Sequence, residues 1–464
     1  MLRRMVGRLP GHEGLPAAVA VDLGASSARF AEGRLVEGRI EFEIVEQVAH
    51  EASEQRGILF WDTEALLGIC RRAEAYAASL GPKTTLGIDS WGVDIGFVAP
   101  DGSPVQPPVC YRDTSHARVF DRMRSNRDEL YAWTGIQHQP FNTIYQLVAR
   151  AEDSPRTRAP GVRWLILPEF LHHLLGCPAG YELTHASTTQ LMGLDGRWSP
   201  DAFDLAGWPV PETEPERPGN IIGQTAAGVP VARVGAHDTA SAVFGLGELR
   251  DDQAFLNVGT WSLLGCVVSE PIVGEPAQKR NFTNERAVDG RVRFLENIPG
   301  FYVIGRLHDE LRVPASVPEW LEDADLSVVS RINLLEERLF NPESMLEAVV
   351  QGLKETPRDN RTWAGLALLS LVDTVATELE ALEEATGRRF VSIRAAGGGS
   401  ASEPFCRQLA VRSGRPVIAG PKEATLVGNL AVQFYAQGLF ASLKDADQAV
   451  QSSLALSTYA PTGS

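Results

Sequence analysis

The stretch VAVDLGASSARF, residues 19–30, changes character at its centre. Apolar residues run into Asp22 and Gly24, two serines follow, and Arg29 precedes a second apolar stretch. This pattern predicts a buried strand, a tight turn and a returning strand. A carboxylate at the end of a buried strand costs free energy unless it is solvated, paired or bound to a cation. Two interpretations follow: a β-turn with a turn-favouring aspartate, or a site for an anion and its cation.

The second interpretation accounts for the small residues of the turn. They let a ligand approach the backbone, whose N–H groups can form a concave anion site. Ser26 and Ser27 add hydroxyl donors, and Arg29 adds a fixed positive charge. A carboxylate beside a phosphate-sized anion requires a cation between them, so we expect Asp22 to hold Mg²⁺ through its waters. By itself the turn does not decide between the two interpretations.

The composition bounds the class of protein. The chain has 464 residues, too many for one core, of which 44% are hydrophobic and 22% charged. Lys and Arg number 43 against 59 Asp and Glu, and this net charge of −16 argues against nucleic-acid binding. Five cysteines without CxxC spacing predict reduced thiols in a cytoplasmic protein. No run approaches the roughly 18 apolar residues of a membrane span, so we expect no membrane association.

The pattern of the opening stretch occurs again in DQAFLNVGTWSLLGCVVSE, residues 252–270. It runs strand, glycine, hydroxyl residue, strand, with Gly259 and Thr260 at the turn. Two related α/β domains around a central cleft are the simplest explanation, and such clefts commonly bind ligands. We predict a flexible leader at 1–16, rather than a signal peptide, and domains at 17–245 and 246–464.

Two helices have predicted ends. One covers 63–80 with Thr63 as a possible N-cap, and the other covers 361–387 and ends at Gly387. The turn AAGGGSAS, residues 395–402, lies between a strand and a helix. Its three glycines indicate either tight packing or bare backbone against which a nucleobase or ribose can lie.

Three further segments carry side chains suited to a sugar substrate. Asp238 lies at the start of the predicted helix in HDTASAV. It is either an N-cap or a general base that accepts the proton of a substrate hydroxyl. Phosphoryl transfer to an alcohol requires such a base. Trp91 and Asp94 offer a sugar an aromatic face and a carboxylate, or are a packed tryptophan and a solvated acid. Asn297 in ENIPG is either a hydroxyl-binding amide or a turn residue.

Taken in order, segments from about Ala17 to Gln451 resemble the FGGY family of carbohydrate kinases. The matching segments are VAVDLGASSAR, GIDSWGVD, YRDTS, PFNTIYQL, THASTTQL, HDTASAV, GTWSLLG, NFTNE, ENIPG, AAGGGS and AGPKEATLVGN. Each is modest alone, and together they are highly specific. The resemblance implies two actin/hexokinase-like (ribonuclease-H-like) α/β domains that bind ATP, Mg²⁺ and a ketose, with the nucleotide on the C-terminal domain.

The resemblance also implies roles for individual residues. The ATP phosphates would be lined by Ala25, Ser26, Ser27, Ala28, Arg29 and Thr260. The adenosine would lie by Gly397, Gly398 and Gly399. The sugar would contact Gly92, His237, Asp238, Thr239 and Asn297. Asp238 would accept the proton, and Asp22 would be the metal-binding residue.

The implied reaction is phosphorylation of a ketose, above all L-rhamnulose to its 1-phosphate. L-fuculose or a xylulose is the alternative substrate, and a non-catalytic nucleotide switch of the same superfold is the second alternative. Three departures from the family pattern bear on nucleotide binding: Ala28 replaces a glycine, Gly305 replaces a glutamine, and Ala401-Ser402 replaces Gln-Asn. The partners expected are the ketose and ATP, without nucleic acid or membrane, for a monomer or a homodimer.

Overall fold

A computed structural model of the chain describes residues 14–340 and 342–461. Most of the predicted leader at 1–16 lies outside the described residues, so its flexibility stays a prediction. The strands are β1 (Ala17–Leu23), β2 (Ser27–Val36), β3 (Arg39–Ala49), β4 (Ala52–Gln55), β5 (Ile58–Trp61), β6 (Thr85–Ser90), β7 (Ile95–Val98), β8 (Pro104–Gln106), β9 (Arg163–Ile166), β10 (Asn220–Gln224), β11 (Pro230–Arg233), β12 (Gln253–Val258), β13 (Ser262–Val268), β14 (Thr283–Arg286), β15 (Val292–Ile298), β16 (Ser392–Ala396), β17 (Val417–Ala419) and β18 (Ser457–Tyr459).

The helices alternate with these strands through much of the described chain. They are α1 (Thr63–Leu80), α2 (Ser115–Arg122), α3 (Arg127–Thr134), α4 (Thr143–Asp153), α5 (Leu167–Leu174), α6 (Leu183–Ala186), α7 (Pro200–Ala206), α8 (Asp238–Phe244), α9 (Glu275–Lys279), α10 (Gly300–Glu310), α11 (Val317–Glu322), α12 (Met345–Val350), α13 (Asn360–Thr386), α14 (Glu403–Ser413), α15 (Ala424–Ala436) and α16 (Leu443–Ser453). Short 3₁₀ helices cover Arg124–Asn126, Pro155–Arg158, Glu337–Leu339 and Gly398–Ala401. None of the helices in the described ranges is long and apolar enough to cross a membrane.

The chain folds into two compact units, and each is built from separate stretches of sequence. Unit 1 comprises Met1–Glu248, Val268–Arg293 and Thr425–Ser453. Unit 2 comprises Leu249–Val267, Phe294–Ala424 and Leu454–Ser464. The domain bounds 17–245 and 246–464, with their assigned roles, stay a prediction.

The main sheet of unit 1 has the strand order β10-β11-β6-β1-β2-β3. The opening stretch of sequence forms the antiparallel hairpin β1–β2, as predicted, with Leu23 opposite Ala28 and Asp22 opposite Arg29. β6 pairs in parallel with both β1 and β11. Because these three strands run in the same direction, the residues after them gather at one edge of the sheet, where ligands bind in open α/β sheets.

The second large sheet has seven strands in the order β14-β15-β13-β12-β16-β17-β18, and the strands from β13 to β18 in this order belong to unit 2 and repeat this arrangement. β12 is antiparallel to β13 and parallel to β16, β16 is parallel to β17, and β18 closes the series antiparallel. The order β13-β12-β16-β17-β18 therefore matches β2-β1-β6-β11-β10 of unit 1. The repeated sequence pattern at 19–30 and 252–270 occupies the same place in the two sheets.

Helix α15 packs directly on the sheet of unit 1. Gly87 of β6 leaves room for it, since a Cβ there would lie 2.8 Å from Oδ1 of Asn429. Side-chain amides of α15 and of the residue after it then bond the strand backbone. Nε2 of Gln433 donates to the carbonyl oxygen of Val19 at 3.0 Å, and Nε2 of Gln437 donates to that of Ala17 at 2.8 Å. These bonds hold the first half of β1 against the helix.

The predicted helix ends are right at one helix and wrong by one residue at the other. Gly387 follows α13 with φ of 65°, the left-handed conformation that glycine adopts readily, so this predicted end is confirmed. Thr63 is the first residue of α1 and is not its N-cap. The cap is Asp62, whose Oδ1 accepts from the Ala65 N–H at 3.0 Å. Aspartate and threonine are both good caps, so composition alone could not decide between neighbours.

Candidate active site

Three aspartates follow the parallel strands of unit 1 at the same edge of the sheet. Asp22 is the penultimate residue of β1, and its register partner Asp89 is the penultimate residue of β6. Asp238 begins α8, shortly after β11. The chain before α8 is tied to β6, because the Ser90 N–H donates to the Ala236 carbonyl oxygen at 2.9 Å. Three carboxylates are thereby collected from three separate parts of the sequence.

Asp22 is paired with Arg29 across the hairpin. Nη2 and Nε of Arg29 donate to Oδ2 of Asp22 at 2.8 and 3.0 Å. Ser26, at the tip of the turn between them, is exposed. Ala28 is 1% exposed, lies in β2, and is not among the described residues with positive φ. Its methyl group therefore does not strain the turn, which was the concern raised by its replacing a glycine.

Asp89 is the most deeply buried of the three carboxylates, with no exposed surface. Nδ2 of Asn429 donates to its Oδ2 at 2.6 Å, whereas Oδ1 has no hydrogen-bond partner among the described residues. Burial raises the pKa of Asp89 well above its ordinary value, the Asp22 charge adds to this, and Asn429 opposes it. A buried carboxylate with an unpartnered oxygen calls for a proton or a cation.

The carboxylates at this edge fit a hydrated divalent cation. In the described ranges no group of three or more His, Cys, Asp or Glu side chains is arranged to enclose a metal ion. Asp22 and Asp89 nevertheless present carboxylate oxygens from neighbouring strands, and Oδ1 of Asp89 is unpartnered. Mg²⁺ commonly keeps several waters and uses only one or two protein carboxylates, which suits this pair. The role of Asp22 in holding the metal stays a prediction.

Asp238 is surrounded by the residues predicted to contact a sugar. Its side chain is 27% exposed, Oδ1 accepts from the Thr239 hydroxyl at 3.1 Å, and Nε2 of His237 lies 3.5 Å from the same oxygen. A Cβ on Gly92 would lie 3.2 Å from the Thr188 side chain and 3.3 Å from Nε2 of His237, so the glycine lets both side chains lie close to its backbone. Burial raises the pKa of Asp238; His237 opposes the rise and Asp22 adds to it. A carboxylate with a raised pKa accepts a proton more readily.

Thr184, the first residue of the THASTTQL segment, and Glu182 shortly before it fix the backbone before Asp238. Oε2 of Glu182 accepts from the Ala236 N–H at 3.1 Å and from the Thr184 hydroxyl at 2.6 Å. The Thr184 oxygen in turn accepts from the His237 N–H at 3.2 Å. Burial raises the pKa of Glu182 to about 7, although these hydrogen bonds oppose it. This network sets the position from which α8 starts.

The Trp91–Asp94 pair has a structural role. Asp94 is fully buried, and its Oδ2 accepts from the indole N–H groups of Trp61 at 2.5 Å and Trp91 at 2.8 Å. Oδ1 accepts from Nε2 of Gln146 at 2.9 Å. The geometry therefore favours the packing interpretation of Trp91 and Asp94 over that of a sugar-binding pair, and no solvated acid is present at Asp94.

Some of the residues predicted to bind the nucleotide, Thr260 and the three glycines of 397–399, lie at the matching edge of unit 2, whereas residues 25–29 lie in unit 1. Thr260 lies exposed at the turn between β12 and β13. Gly397 has φ of 81°, and a Cβ there would lie 2.8 Å from Oδ1 of Asn257 at the end of β12. A Cβ on Gly399 would overlap Val258, while Gly398 faces open space. Asn297, predicted to bind sugar, is half-buried in β15 of this unit.

Sequence analysis gave no role to Asp89 or Asn429. Asp89 closes the segment GID near the end of β6, and this segment repeats the pattern of apolar residues followed by an acid seen in VAVD. The same pattern that drew attention to Asp22 therefore could have identified Asp89. Asn429 lies in the matching segment AGPKEATLVGN, but nothing in that segment shows that it returns to β6. Only the fold brings this amide to the aspartate.

The duplicated sheet, with carboxylates at its edge in unit 1 and a glycine turn in unit 2, is the architecture of the actin/hexokinase-like fold. The structure of gluconate kinase from Lactobacillus acidophilus matches 97% of this chain and 94% of its own, with a TM-score of 0.79 at 14% sequence identity. This likeness confirms the predicted fold class.

Sequence comparisons give the family. Residues 254–437 match the C-terminal domain of the FGGY family of carbohydrate kinases. The chain is 35% identical over 441 residues to rhamnulokinase of Yersinia pestis (strain Pestoides F), covering 90% of each chain. It is 31% identical over 462 residues to rhamnulokinase of Bacillus subtilis (strain 168), covering 95% of each. The chain belongs to the FGGY family of carbohydrate kinases, as the resemblance predicted, and is a sugar kinase. Membership implies ATP as a substrate and usually a divalent metal ion.

Proposed function

We propose that this enzyme transfers the γ-phosphoryl group of ATP to L-rhamnulose and forms L-rhamnulose 1-phosphate. The similarity to two rhamnulokinases over at least 90% of the chain supports this substrate. The observation that carries the proposal is the Asp238 carboxylate, which is partly exposed, has a raised pKa and has His237 beside it.

In the proposed reaction the C1 hydroxyl of the ketose attacks the γ-phosphorus. Its O–H bond breaks as the new P–O bond forms, and Asp238 takes the proton. The bond between the γ-phosphorus and the β–γ bridging oxygen breaks, and ADP leaves with that electron pair. His237 and Thr239 hold the hydroxyl groups of the sugar beside the Asp238 carboxylate. Mg²⁺, held through Asp22, would offset the negative charge of the phosphates when bound.

The remaining predicted residues complete the proposal. Residues 25–29 and Thr260 are proposed to face the phosphates of ATP. The three glycines of 397–399 are proposed to lie against the adenosine. Asn297 is proposed as a sugar contact. The five cysteines are free and buried, which supports a reducing compartment, and we propose the cytoplasm.

The substrate is tested by coupling ADP release to an optical signal with L-rhamnulose, L-fuculose and D-xylulose in turn. We expect L-rhamnulose to give a kcat/KM at least about tenfold above the other two, since one or two misplaced hydroxyl contacts cost that much. A sugar-free reaction supplies the background rate of ATP hydrolysis. A higher kcat/KM for another ketose would contradict the substrate, and no stimulation by any ketose would contradict ketose phosphorylation.

Gly305 gives a second test, on the nucleotide side. It lies inside α10, and a Cβ there would meet nothing within 4 Å, so a longer side chain fits. Gly305→Gln is expected to lower the KM for ATP about 2- to 10-fold by restoring one hydrogen bond. The matched control is Gly305→Ala, which raises helix propensity without adding an amide. Equal KM values for ATP in the two variants would show that this position does not contact the nucleotide.

A further inference from the structure

A buried ion pair lies behind the imidazole of His237. Oε2 of Glu285 lies 3.3 Å from Nδ1 of His237, and Nη2 of Arg293 lies 3.1 Å from the same nitrogen. Glu285 and Arg293 are themselves 3.1 Å apart. They belong to β14 and β15, and all three residues lie in unit 1. The other ring nitrogen, Nε2, faces Asp238. The ring is thus held between a charged pair on one side and the proposed base on the other.

The pair is costly to bury. The Arg293 side chain has no exposed surface and that of Glu285 is 5% exposed. In the described part of the chain, Nη1 of Arg293 has no hydrogen-bond partner. Burial raises the pKa of Glu285, but the positive charge of Arg293 opposes this rise, and the pKa lies below its ordinary value. Buried ion pairs often contribute no more stability than apolar residues of the same size. A role in orienting the site accounts better for this pair.

Hydrogen-bond chemistry shows what the pair does to the imidazole. Of the two groups near Nδ1 of His237, the Arg293 guanidinium makes the hydrogen bond, whereas Oε2 of Glu285 at 3.3 Å has no hydrogen-bond partner in the described part of the chain. A guanidinium can only donate, so this bond requires a lone pair on Nδ1. A neutral imidazole with its lone pair on Nδ1 carries its proton on Nε2. That N–H then faces the Asp238 carboxylate and lies close to Gly92. Oε2 of Glu285 lies 3.1 Å from Nη2 of Arg293 and so holds the guanidinium beside the ring.

We propose that Glu285 and Arg293 are positioning residues that keep Nε2 of His237 as a hydrogen-bond donor toward Asp238 and the sugar hydroxyl. The proposal rests on the proposed function, because it assigns Asp238 as the base. It adds two residues to that site, and both act through His237. The pair also sets the electrostatic potential at the base from behind the ring.

Other charged groups act on Asp238 and stay constant in the test. Asp22 and Asp89 act from β1 and β6, and Arg29 acts on Asp89 from β2. Glu182 interacts with Arg293, and His185 of α6 lies beside His237 with ring centroids 6.3 Å apart. Against this background, removing the negative charge of Glu285 lowers the pKa of Asp238. Removing the positive charge of Arg293 raises it.

The test is the pH dependence of kcat/KM for L-rhamnulose, or for the ketose that the wild-type enzyme uses best. Its acid limb reports protonation of the base. Glu285→Gln is expected to move this limb to lower pH, and Arg293→Gln to higher pH, each by about half to one unit. Both variants are expected to lose about 10- to 100-fold in kcat, because the imidazole is no longer held in place. Glu285→Asp, which keeps the charge, is expected to retain the wild-type limb.

The matched control is a second buried Glu–Arg–His group in unit 1. Nε of Arg233 lies 3.3 Å from Oε1 of Glu169, and Nδ1 of His172 lies 3.6 Å from its Oε2. Glu169→Gln is expected to change the free energy of unfolding without moving the acid limb. If Arg293→Gln does not fold, the comparison of Glu285→Gln with Glu285→Asp still shows whether the charge at position 285 sets the position of the acid limb.

The outcomes separate the two proposals. An inactive wild-type enzyme, with every ketose, overturns the proposed function. If the wild-type enzyme is active, two results overturn the positioning role. In the first, Glu285→Gln leaves the acid limb unmoved. In the second, Glu285→Gln and Arg293→Gln move the acid limb in the same direction. Opposite shifts with an unmoved limb in Glu169→Gln support it.

Discussion

Replacing Asp238 by asparagine is expected to lower kcat by about 10²–10⁴-fold, the usual contribution of a general base. The amide has nearly the shape of the carboxylate but cannot take a proton from the sugar hydroxyl at neutral pH. Its oxygen can still accept from the Thr239 hydroxyl, which now lies 3.1 Å away. The thermal unfolding temperature should therefore stay near or above that of the parent, because a buried charge has been removed. Steady-state ADP release and calorimetric ATP binding together measure the effect.

The matched control is Asp201→Asn. Asp201 lies in the first turn of α7, which has seven residues like α8, but it is exposed and far along the chain from the site. Its replacement is expected to leave kcat unchanged. An Asp238→Asn enzyme within a few-fold of the parent would remove Asp238 from its role as base. Loss of ATP binding together with activity would instead indicate a structural defect.

Gly428→Ala is expected to lower the free energy of unfolding by about 1–3 kcal/mol. Gly428 lies in α15 where this helix meets α8, and a Cβ there would overlap the backbone carbonyl oxygen of Ser241 and lie 2.9 Å from the Gly245 nitrogen. Backbone atoms cannot rotate away as a side chain can, so the two helices must separate. Because α8 begins with Asp238, kcat should fall as well. Denaturant unfolding and ADP release measure both effects.

Gly68→Ala is the control for this substitution. Gly68 lies inside α1 of the same unit, and a Cβ there would meet only the flexible end of Arg72, at 3.3 Å. Alanine at this position is expected to stabilise the helix by up to about 1 kcal/mol. Similar free energies of unfolding for Gly428→Ala and the parent would show that the α8–α15 contact is looser than described.

Patterns within short segments of the sequence predicted those parts of the fold that are determined by residues close together in the chain. The hairpin around Asp22 and its counterpart around Thr260 follow from alternation and turn residues that lie side by side in the sequence. The end of α13 follows from Gly387. His237 and Asp238 were identified because a single short segment carries both.

Contacts between distant segments were not predictable in this way. Residues 268–293 and 425–453 return to unit 1, and they bring Glu285, Arg293 and Asn429 to the site. No periodicity in those segments indicates which sheet they join. The role of Asp94 was ambiguous for a related reason, because its hydrogen-bond partner Trp61 lies in a strand thirty-three positions earlier in the sequence. Pairing of buried polar groups is decided by the tertiary structure.

The matching strand orders of the two units have a consequence for the history of the protein. Asp22 stands two residues before the glycine of its hairpin turn, and in unit 2 the same position is held by Asn257. An amide has the size of a carboxylate without its charge. If the halves descend from one ancestral domain, a single exchange between acid and amide at this position would have changed the charge at the strand end of one copy while leaving the shape of the side chain almost the same.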